Sequence, residues 1–280
     1  MGANTLIGWA KHSFNPWKGC QMKSAGCARC YMFRLANRWG TDPTIITRSS
    51  PNVWRSPFRW NKQLSGDEPV EERIVFMNSM SDFFIPQADE WRPEIYPILE
   101  LTPNLLYLIL TKYPERVMEY LPPNWVTEMH PTGYPNVIVG TSIEDQKAAN
   151  LRMPELLRIQ ANHKVISFEP LLGPIDLTPF LREPTQHSSK RLPIDWAIIG
   201  GESGYKARKK GKKDFRYRPC ELDWLISLRD QLEAAGVPVF VKQLGSHLAQ
   251  EYKLNASAGQ WAEEWSRLPE RLPQAYPILT

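Results

Sequence analysis

The chain has 280 residues, 42% of them apolar and 23% charged, with 25 Pro and 11 Trp. This is a globular composition that excludes a disordered chain, and the length fits one large domain. The net charge of only +4 excludes reading nucleic-acid affinity from overall charge, so any such argument rests on where the cations cluster.

The N-terminus, MGANTLIGWAKHS, lacks the basic leader and the continuous apolar core of a signal peptide. No apolar run approaches the length of a membrane span, and the expectation is a soluble, cytoplasmic protein. Thr5 to Trp9 (TLIGW) reads as a first strand. It leads into Gly19 to Tyr31, GCQMKSAGCARCY, which holds Cys20, Cys27 and Cys30 in a C-x6-C-x2-C pattern and so three of the four cysteines. An odd set of thiols this close together suits a metal centre better than disulfides. A structural zinc wants four ligands, whereas an iron-sulfur cluster on three cysteines leaves one iron open. His12 and Cys220 are the candidate fourth ligands, and both metals remain open on this motif alone.

Beyond the cysteines the period changes. Met32, Leu35, Ala36 and Trp39 mark one face of a helix that Gly40 can end. Residues 41–72 read as loop with short helical turns. Six short apolar runs follow: Arg73 to Asn78, Leu105 to Thr111, Asn136 to Thr141, His163 to Phe168, Asp195 to Ile199 and Val237 to Gln243. Their continuous hydrophobicity fits strands covered on both faces. Helical stripes between them, at Trp91, Ile95, Ile98 and Leu99 and again at Leu222, Leu225 and Ile226, complete a strand-helix alternation. The fold class expected is α/β, a partial or open (β/α) barrel of about six to seven parallel strands over residues 1–245. Residues 246–280, with Trp261 and Trp265, are expected to add a helix and an extended end packed on the barrel.

Polar residues collect where the strands end: Ser79, Ser81 and Asp82; Lys112; Ser142 and Glu144; Glu169; Gly200, Gly201, Glu202 and Ser203; Lys242 and Gln243. In a parallel barrel these ends share the rim on which active sites are built. Ser79, Ser142 and Ser203 also suit helix caps, Asp82 and Glu144 suit first helical turns, and Gly200–Gly201 suits a tight turn. A carboxylate at Glu169 and an ammonium at Lys112, both at apolar strand ends, need partners. Cys220 reads as a buried thiol at a helix start. The segment Lys206 to Arg218, KARKKGKKDFRYR, sets Lys206, Arg208, Lys209, Lys210, Lys212, Lys213, Arg216 and Arg218 around Phe215 and Tyr217. Such a run is commonly a solvated loop. Beside a barrel mouth it is also suited to gripping phosphates and stacking on a base.

These residues carry a resemblance. FNPWKGC with GCARCY, FMNSMSDFF, LILTKYPER, VIVGTSIEDQ, ISFEPLLGPIDL, AIIGGESG and AAGVPVFVKQLG together resemble the phage-associated three-cysteine-motif family of radical-SAM-like proteins, over most of residues 9–245. The resemblance implies a partial barrel with a [4Fe-4S] cluster on Cys20, Cys27 and Cys30, its fourth iron binding S-adenosylmethionine (SAM). It implies SAM contacts at Ser79, Ser81 and Asp82 for the methionine amino group and at Ser142 and Glu169 for the carboxylate or ribose. Lys112, Glu169 and Glu202 are the expected polar groups around the reacting centre. The chemistry implied is reductive cleavage of SAM to a 5′-deoxyadenosyl radical, fed by a donor such as flavodoxin or ferredoxin. The substrate implied is a nucleobase or its substituent, and the expected setting is phage DNA hypermodification within the host cytoplasm. Spore photoproduct lyase-like DNA repair and a zinc-stabilised, non-catalytic binding module are the alternatives. The six-residue first gap departs from the commoner C-x3-C-x2-C spacing, and Arg29 stands where an aromatic residue is frequent.

Overall fold

The computed structural model describes residues 4–181, 194–204, 206–209, 212–215, 217–254, 265, 268–269, 271–277 and 279, with the backbone alone described at 206–209 and 212–215. Seven strands form one sheet in sequential order: β1 (His12–Phe14), β2 (Ile74–Met77), β3 (Leu106–Thr111), β4 (Val137–Ser142), β5 (His163–Phe168), β6 (Trp196–Gly200) and β7 (Val239–Gln243). The pairs β1–β2, β2–β3, β3–β4 and β6–β7 are parallel. With helices in the connections and β1 and β7 left as unjoined edges of the sheet, this is the α/β partial barrel expected.

The first strand corrects the sequence reading. Thr5 to Trp9 does not enter the sheet. Thr5 N–H bonds to Lys11 O at 3.0 Å and Ala10 N–H to Ile7 O at 3.1 Å, so the run folds back on itself. Leu6 is left 97% exposed, while Trp9 packs edge-on against Phe76 with ring centroids 4.8 Å apart. The strand lies downstream, where His12, Ser13 and Phe14 register against Val75, Phe76 and Met77. Apolar content does not make a strand without a neighbour in register, and β propensity is largely a matter of such packing. The other six strands fall within two residues of their expected bounds.

The chain divides into two compact units, Met1–Thr141 with Glu155–Val165 and Leu279–Thr280, and Ser142–Pro154 with Ile166–Ile278. In the first unit, Val75, Met77, Tyr107, Ile109 and Val137 are buried from the sheet, with Phe83, Phe84, Ile85, Ile95 and Leu99 from the connections. Helix α1 (Tyr31–Arg38) buries Met32 and Ala36 against Met80. Trp39, expected on that buried face, caps the helix and stands 52% exposed. Residues 41–72 hold the short helices Pro51–Trp54, Ser56–Asn61 and Val70–Arg73, as expected, and Thr47–Arg48 pairs with Trp17–Lys18. The expected stripe at Trp91 to Leu99 forms a 3-10 turn and the short helix α2 (Tyr96–Glu100).

In the second unit, α3 (Leu222–Ala234) buries Leu222, Leu225, Leu228 and Leu232, one face at helical spacing. Buried Phe168, Trp196, Ile198, Val239 and Val241 supply the sheet side. A Cβ at Gly201 would run into Leu244 O, and one at Gly245, whose φ is +81°, would lie 2.7 Å from Gly201 C. The two backbones thus pass too closely for side chains, a stronger demand than the tight turn expected at Gly200–Gly201. The tail contributes α4 (Gly245–Glu251) and an extended end: Val241 N–H bonds to Pro273 O at 2.8 Å and Ala275 N–H to Val239 O at 2.9 Å. This end pairs along β7, satisfying an edge that would otherwise present free backbone groups. Trp261 lies outside the described residues. Among the described residues, no helix is long and apolar enough to cross a membrane.

The basic segment is a β-ribbon and not the loop expected. Lys206–Lys209 pairs antiparallel with Lys212–Phe215. Two residues between the runs, one of them Gly211, are the sequence signal a short hairpin leaves.

Candidate metal and cofactor site

In the first unit Cys20, Cys27 and Cys30 border one cavity of about 80 Å³, together with Ser79, Ser81, Asp82, Lys112 and Tyr113. The two cysteines nearer α1 are set by a 3-10 turn, Ala25–Cys27, with Cys27 N–H bonded to Ser24 O at 3.0 Å and Cys30 N–H to Cys27 O at 3.1 Å. Cys20 is set by two distant segments. Its N–H bonds to Pro43 O at 2.8 Å, and the preceding Gly19 gives its N–H to Met80 O at 3.1 Å. Gly19 has φ +94°, and a Cβ there would collide with Ile45 O, so this position requires glycine.

The strand-end residues form the opposite wall, organised by Asn15. Its Oδ1 accepts from Met80 N–H at 2.8 Å, and its Nδ2 donates to Ser79 Oγ at 3.0 Å. Tyr31 OH donates to Ser79 O, and Ser81 Oγ donates to Gly19 O at 2.6 Å. Asn15→Ala strands the buried Met80 N–H and is expected to cost about 1–3 kcal/mol, read as a lower denaturant midpoint.

Asp82 is fully engaged. Oδ1 accepts from Phe84 N–H at 3.0 Å and Thr111 Oγ1 at 2.6 Å, and Oδ2 accepts from Lys112 N–H at 2.7 Å. Burial still raises this carboxyl above its ordinary 3.8, against the opposing pull of those donors and the Lys112 charge. Its evident work is to tie the end of β2 to the end of β3 and so place Lys112 in the cavity wall.

The donor chemistry fits a cluster. Burial pushes the Cys20 thiol up to about 12 and raises Cys30 also, and the Lys112 charge only partly offsets this. Thiols in this setting ionise when a cationic metal centre takes them. Among the described residues, no group of three or more His, Cys, Asp or Glu side chains is arranged to hold a metal ion. The three cysteines share a cavity wall, and three thiolates are a donor set that suits a cluster taking one thiolate per iron. The candidate fourth ligands are placed otherwise. His12 stacks on Trp60 at 4.5 Å, 4° from parallel, and burial lowers its pKa to about 4; it does not line the cavity. Cys220 is fully buried in the second unit, its thiol pushed up to about 12.

The second unit holds the remaining expected residues in two ion pairs. Glu169 accepts from Lys242 Nζ at 2.7 and 3.0 Å and from Gln243 Nε2 at 2.5 Å. Glu202 accepts from Arg218 through its backbone N–H at 2.6 Å and its guanidinium. Arg218, grouped by sequence with the phosphate-binding cations, is therefore committed to Glu202. Ser142 ends β4, and its carbonyl accepts from Arg152, which also pairs with Glu144 at 2.8 Å. Lys206, Arg208, Lys209, Lys212 and Lys213 lie on the ribbon, whose backbone alone is described; Lys210 and Arg216 lie outside the described residues. Sequence reasoning did not single out Asn15, and it placed Lys242 and Gln243 at a strand end without a role. Their partners lie 64, 73 and 74 residues away, and the one available signal was a polar residue beside an apolar run.

Three comparisons place the chain among known proteins. A family model described as "Protein of unknown function (DUF5131)" matches residues 4–269. No curated protein matches the sequence. Among solved structures, a cysteine-to-serine mutant of spore photoproduct lyase is similar with a TM-score of 0.52 and 11% identity, covering 85% of this chain and 78% of that one. A cysteine-to-alanine mutant of the same lyase with dinucleoside spore photoproduct has a TM-score of 0.49 and 10% identity, and a further mutant with bound AdoMet and the same dinucleoside has 0.48 and 10%. Each of these two covers 85% of this chain and 80% of the other. At such identity the first likeness is one of fold, and it is to a partial barrel.

Proposed function

The chain belongs to the family described as "Protein of unknown function (DUF5131)", and we propose that it is a radical SAM enzyme acting on a nucleobase or its substituent. The carrying observation is the convergence of Cys20, Cys27 and Cys30 on one cavity with strand-end polar residues, on a fold similar to that of spore photoproduct lyase. When bound, a [4Fe-4S] cluster and SAM supply one-electron reductive cleavage and a hydrogen-abstracting radical. Cys20, Cys27 and Cys30 would hold three of its irons.

The chain's own groups then orient and insulate. Ser81 Oγ donates its hydrogen bond to Gly19 O and so presents lone pairs to the cavity, the polarity an ammonium such as that of SAM requires. Lys112 brings a positive charge to the same wall, and Asp82 fixes the backbone that carries it. In the second unit Lys242 and Gln243 hold the Glu169 carboxylate in one orientation, and Glu202, with Arg218, positions the chain that follows the ribbon.

A nucleic-acid substrate is supported by the ribbon. Its register sets Lys212 opposite Lys209 and Lys213 opposite Arg208. Like charges directly opposite destabilise an antiparallel pair, and a phosphate backbone neutralises them. A duplex base has to be extruded to react. Phage DNA hypermodification is the proposed setting, with a repair reaction like that of spore photoproduct lyase as the second reading, favoured by the likeness in fold.

The test is anaerobic purification followed by reduction with SAM present. The expected protein is brown, carries about four irons per chain and releases 5′-deoxyadenosine. Colourless protein with one zinc ends the enzyme reading. Mass spectrometry of nucleosides from DNA and RNA treated with the enzyme identifies the altered base, and unchanged composition of both ends the nucleic-acid reading.

A further inference from the structure

We propose that the first unit carries a docking groove for a proline-rich, basic segment of a partner protein, on the side remote from the thiols. No residue of this groove borders the cysteine cavity, so it stands apart from the cluster reading.

The first observation is shape. Two cavities of about 410 and 340 Å³ adjoin and share a wall of Glu100, Asn124 and Tyr134. Arg73, Leu106 and Asn136, at the amino ends of β2, β3 and β4, border the second, whereas the thiols share their cavity with residues that follow the carboxyl ends of β2 and β3. The shared wall is fixed. Tyr134 OH donates to Asn124 Oδ1 at 3.0 Å, Asn124 Nδ2 donates to Glu100 Oε1 at 2.6 Å, and Tyr134 packs on Trp125 with ring centroids 4.9 Å apart. A preformed surface spares a ligand the cost of ordering it.

The second observation is the make-up of the walls. Tyr96, Tyr120 and Tyr134 border the first cavity, with Pro93, Pro97 and Pro122 beside them. Leu101, Met118, Val126 and Met129, each the chain neighbour of a lining residue, stand 66%, 48%, 41% and 85% exposed. Apolar surface that runs past the cavities suits an extended chain better than a compact small molecule. Grooves lined by aromatic rings are where polyproline II segments dock, because such a segment arrives already extended and with little entropy to lose.

The third observation is charge. The charged side chains bordering the first cavity are Glu100 and Glu119. Both are exposed, and neither is ion-paired among the described residues. Arg116, whose guanidinium lies 4.2 Å from the Tyr120 ring centroid, is committed to Asp89 at 2.7 and 2.8 Å. Two carboxylates without cations select a Lys or Arg on the partner and repel a phosphate backbone. Arg73 borders the second cavity, so the partner's cation belongs at the first, which orients the segment along the groove.

The experiment titrates the full-length protein into a fluorescent PxxP peptide with an arginine at one end and follows anisotropy, beside the same peptide ending in glutamate. The parent is expected to bind the arginine peptide, more weakly as salt rises, and to prefer it to the glutamate peptide. E100Q/E119K keeps an acceptor for Asn124 Nδ2. It is expected to weaken arginine-peptide binding about fivefold or more, to remove the preference between the two peptides, and to leave the denaturant midpoint and iron content as in the parent. Unchanged arginine-peptide affinity in a variant with the parental midpoint overturns the proposal, as does a parent that binds neither peptide or both equally. Arginine amide binding as tightly as the arginine peptide overturns it in favour of a small cation. Parent dimers that E100Q/E119K breaks overturn it in favour of a second copy of this chain.

Discussion

Cys27→Ala is expected to yield a folded protein that holds no cluster: iron at background, no brown absorbance, and no 5′-deoxyadenosine from SAM on reduction. The backbone at this position stands on its own hydrogen bonds, Cys27 N–H to Ser24 O and Cys30 N–H to Cys27 O. Alanine keeps both, and the side chain removed is a single buried sulfur, so the turn survives. What is lost is one of three thiolates, in a cavity whose other donors do not replace it. Cys20→Ala and Cys30→Ala are expected to behave alike, while Cys220→Ala leaves iron content unchanged. An iron assay with a visible spectrum reads all four variants. Parental iron in Cys27→Ala would falsify the assignment.

The second large effect is expected at Asp82. Asp82→Ala removes the acceptor of three buried donors, Phe84 N–H, Thr111 Oγ1 and Lys112 N–H. Each stranded donor costs about 1–3 kcal/mol, and the Thr111 hydroxyl can rotate away, so the two stranded N–H groups cost about 2–6 kcal/mol. That is a large share of the ordinary stability of a folded domain, about 5–15 kcal/mol. Asp82→Asn is not a rescue, because both oxygens face donors and an amide nitrogen at either position meets another N–H or O–H. The penalty also depends on pH. The carboxyl is raised above 3.8 in the fold, so the acid form is favoured there relative to the unfolded chain. The resulting stabilisation is full below 3.8 and is lost as pH rises through the raised value. The gap between parent and Asp82→Ala is therefore expected to be wider in acid than at neutral pH in denaturant titrations. A constant gap across that window means that burial does not dominate this carboxyl.

The same residues show what a sequence makes legible. β2 to β7 were readable because each is an apolar run bounded by polar residues, and such runs are intrinsic to strands buried on both faces. β1 was not, because HSF has no such signature and owes its strand to the register with β2. The metal donors stood out through spacing within eleven residues. The strand-end groups that share their cavity, Ser79, Ser81, Asp82 and Lys112, followed from the logic of a parallel sheet. The contact that holds Ser79 did not follow, nor did those that hold Glu169, since Asn15 in the first case and Lys242 and Gln243 in the second meet partners through the fold and not along the chain. Ion pairing at Arg218 was equally invisible, because a basic run gives no sign of which cation will find a buried carboxylate. Trp39 shows the converse limit: helical spacing put it on a buried face, but the helix ends at Arg38, and the period stops applying one residue too soon.

The clamp on Gly19 bears on how far cysteine spacing can diagnose a site of this kind. Cys20 is held from behind by Pro43, Ile45 and Met80, and Cys27 and Cys30 by their own turn. Of the links between the two anchors, Met22 stands 70% exposed, while Gln21 and Lys23 line the cavity beside the thiols and Lys23 pairs with Glu115. Length between the first and second thiol can then be taken up at Met22, in a loop whose ends are fixed. A search keyed to one fixed interval would pass by a chain that differed only there.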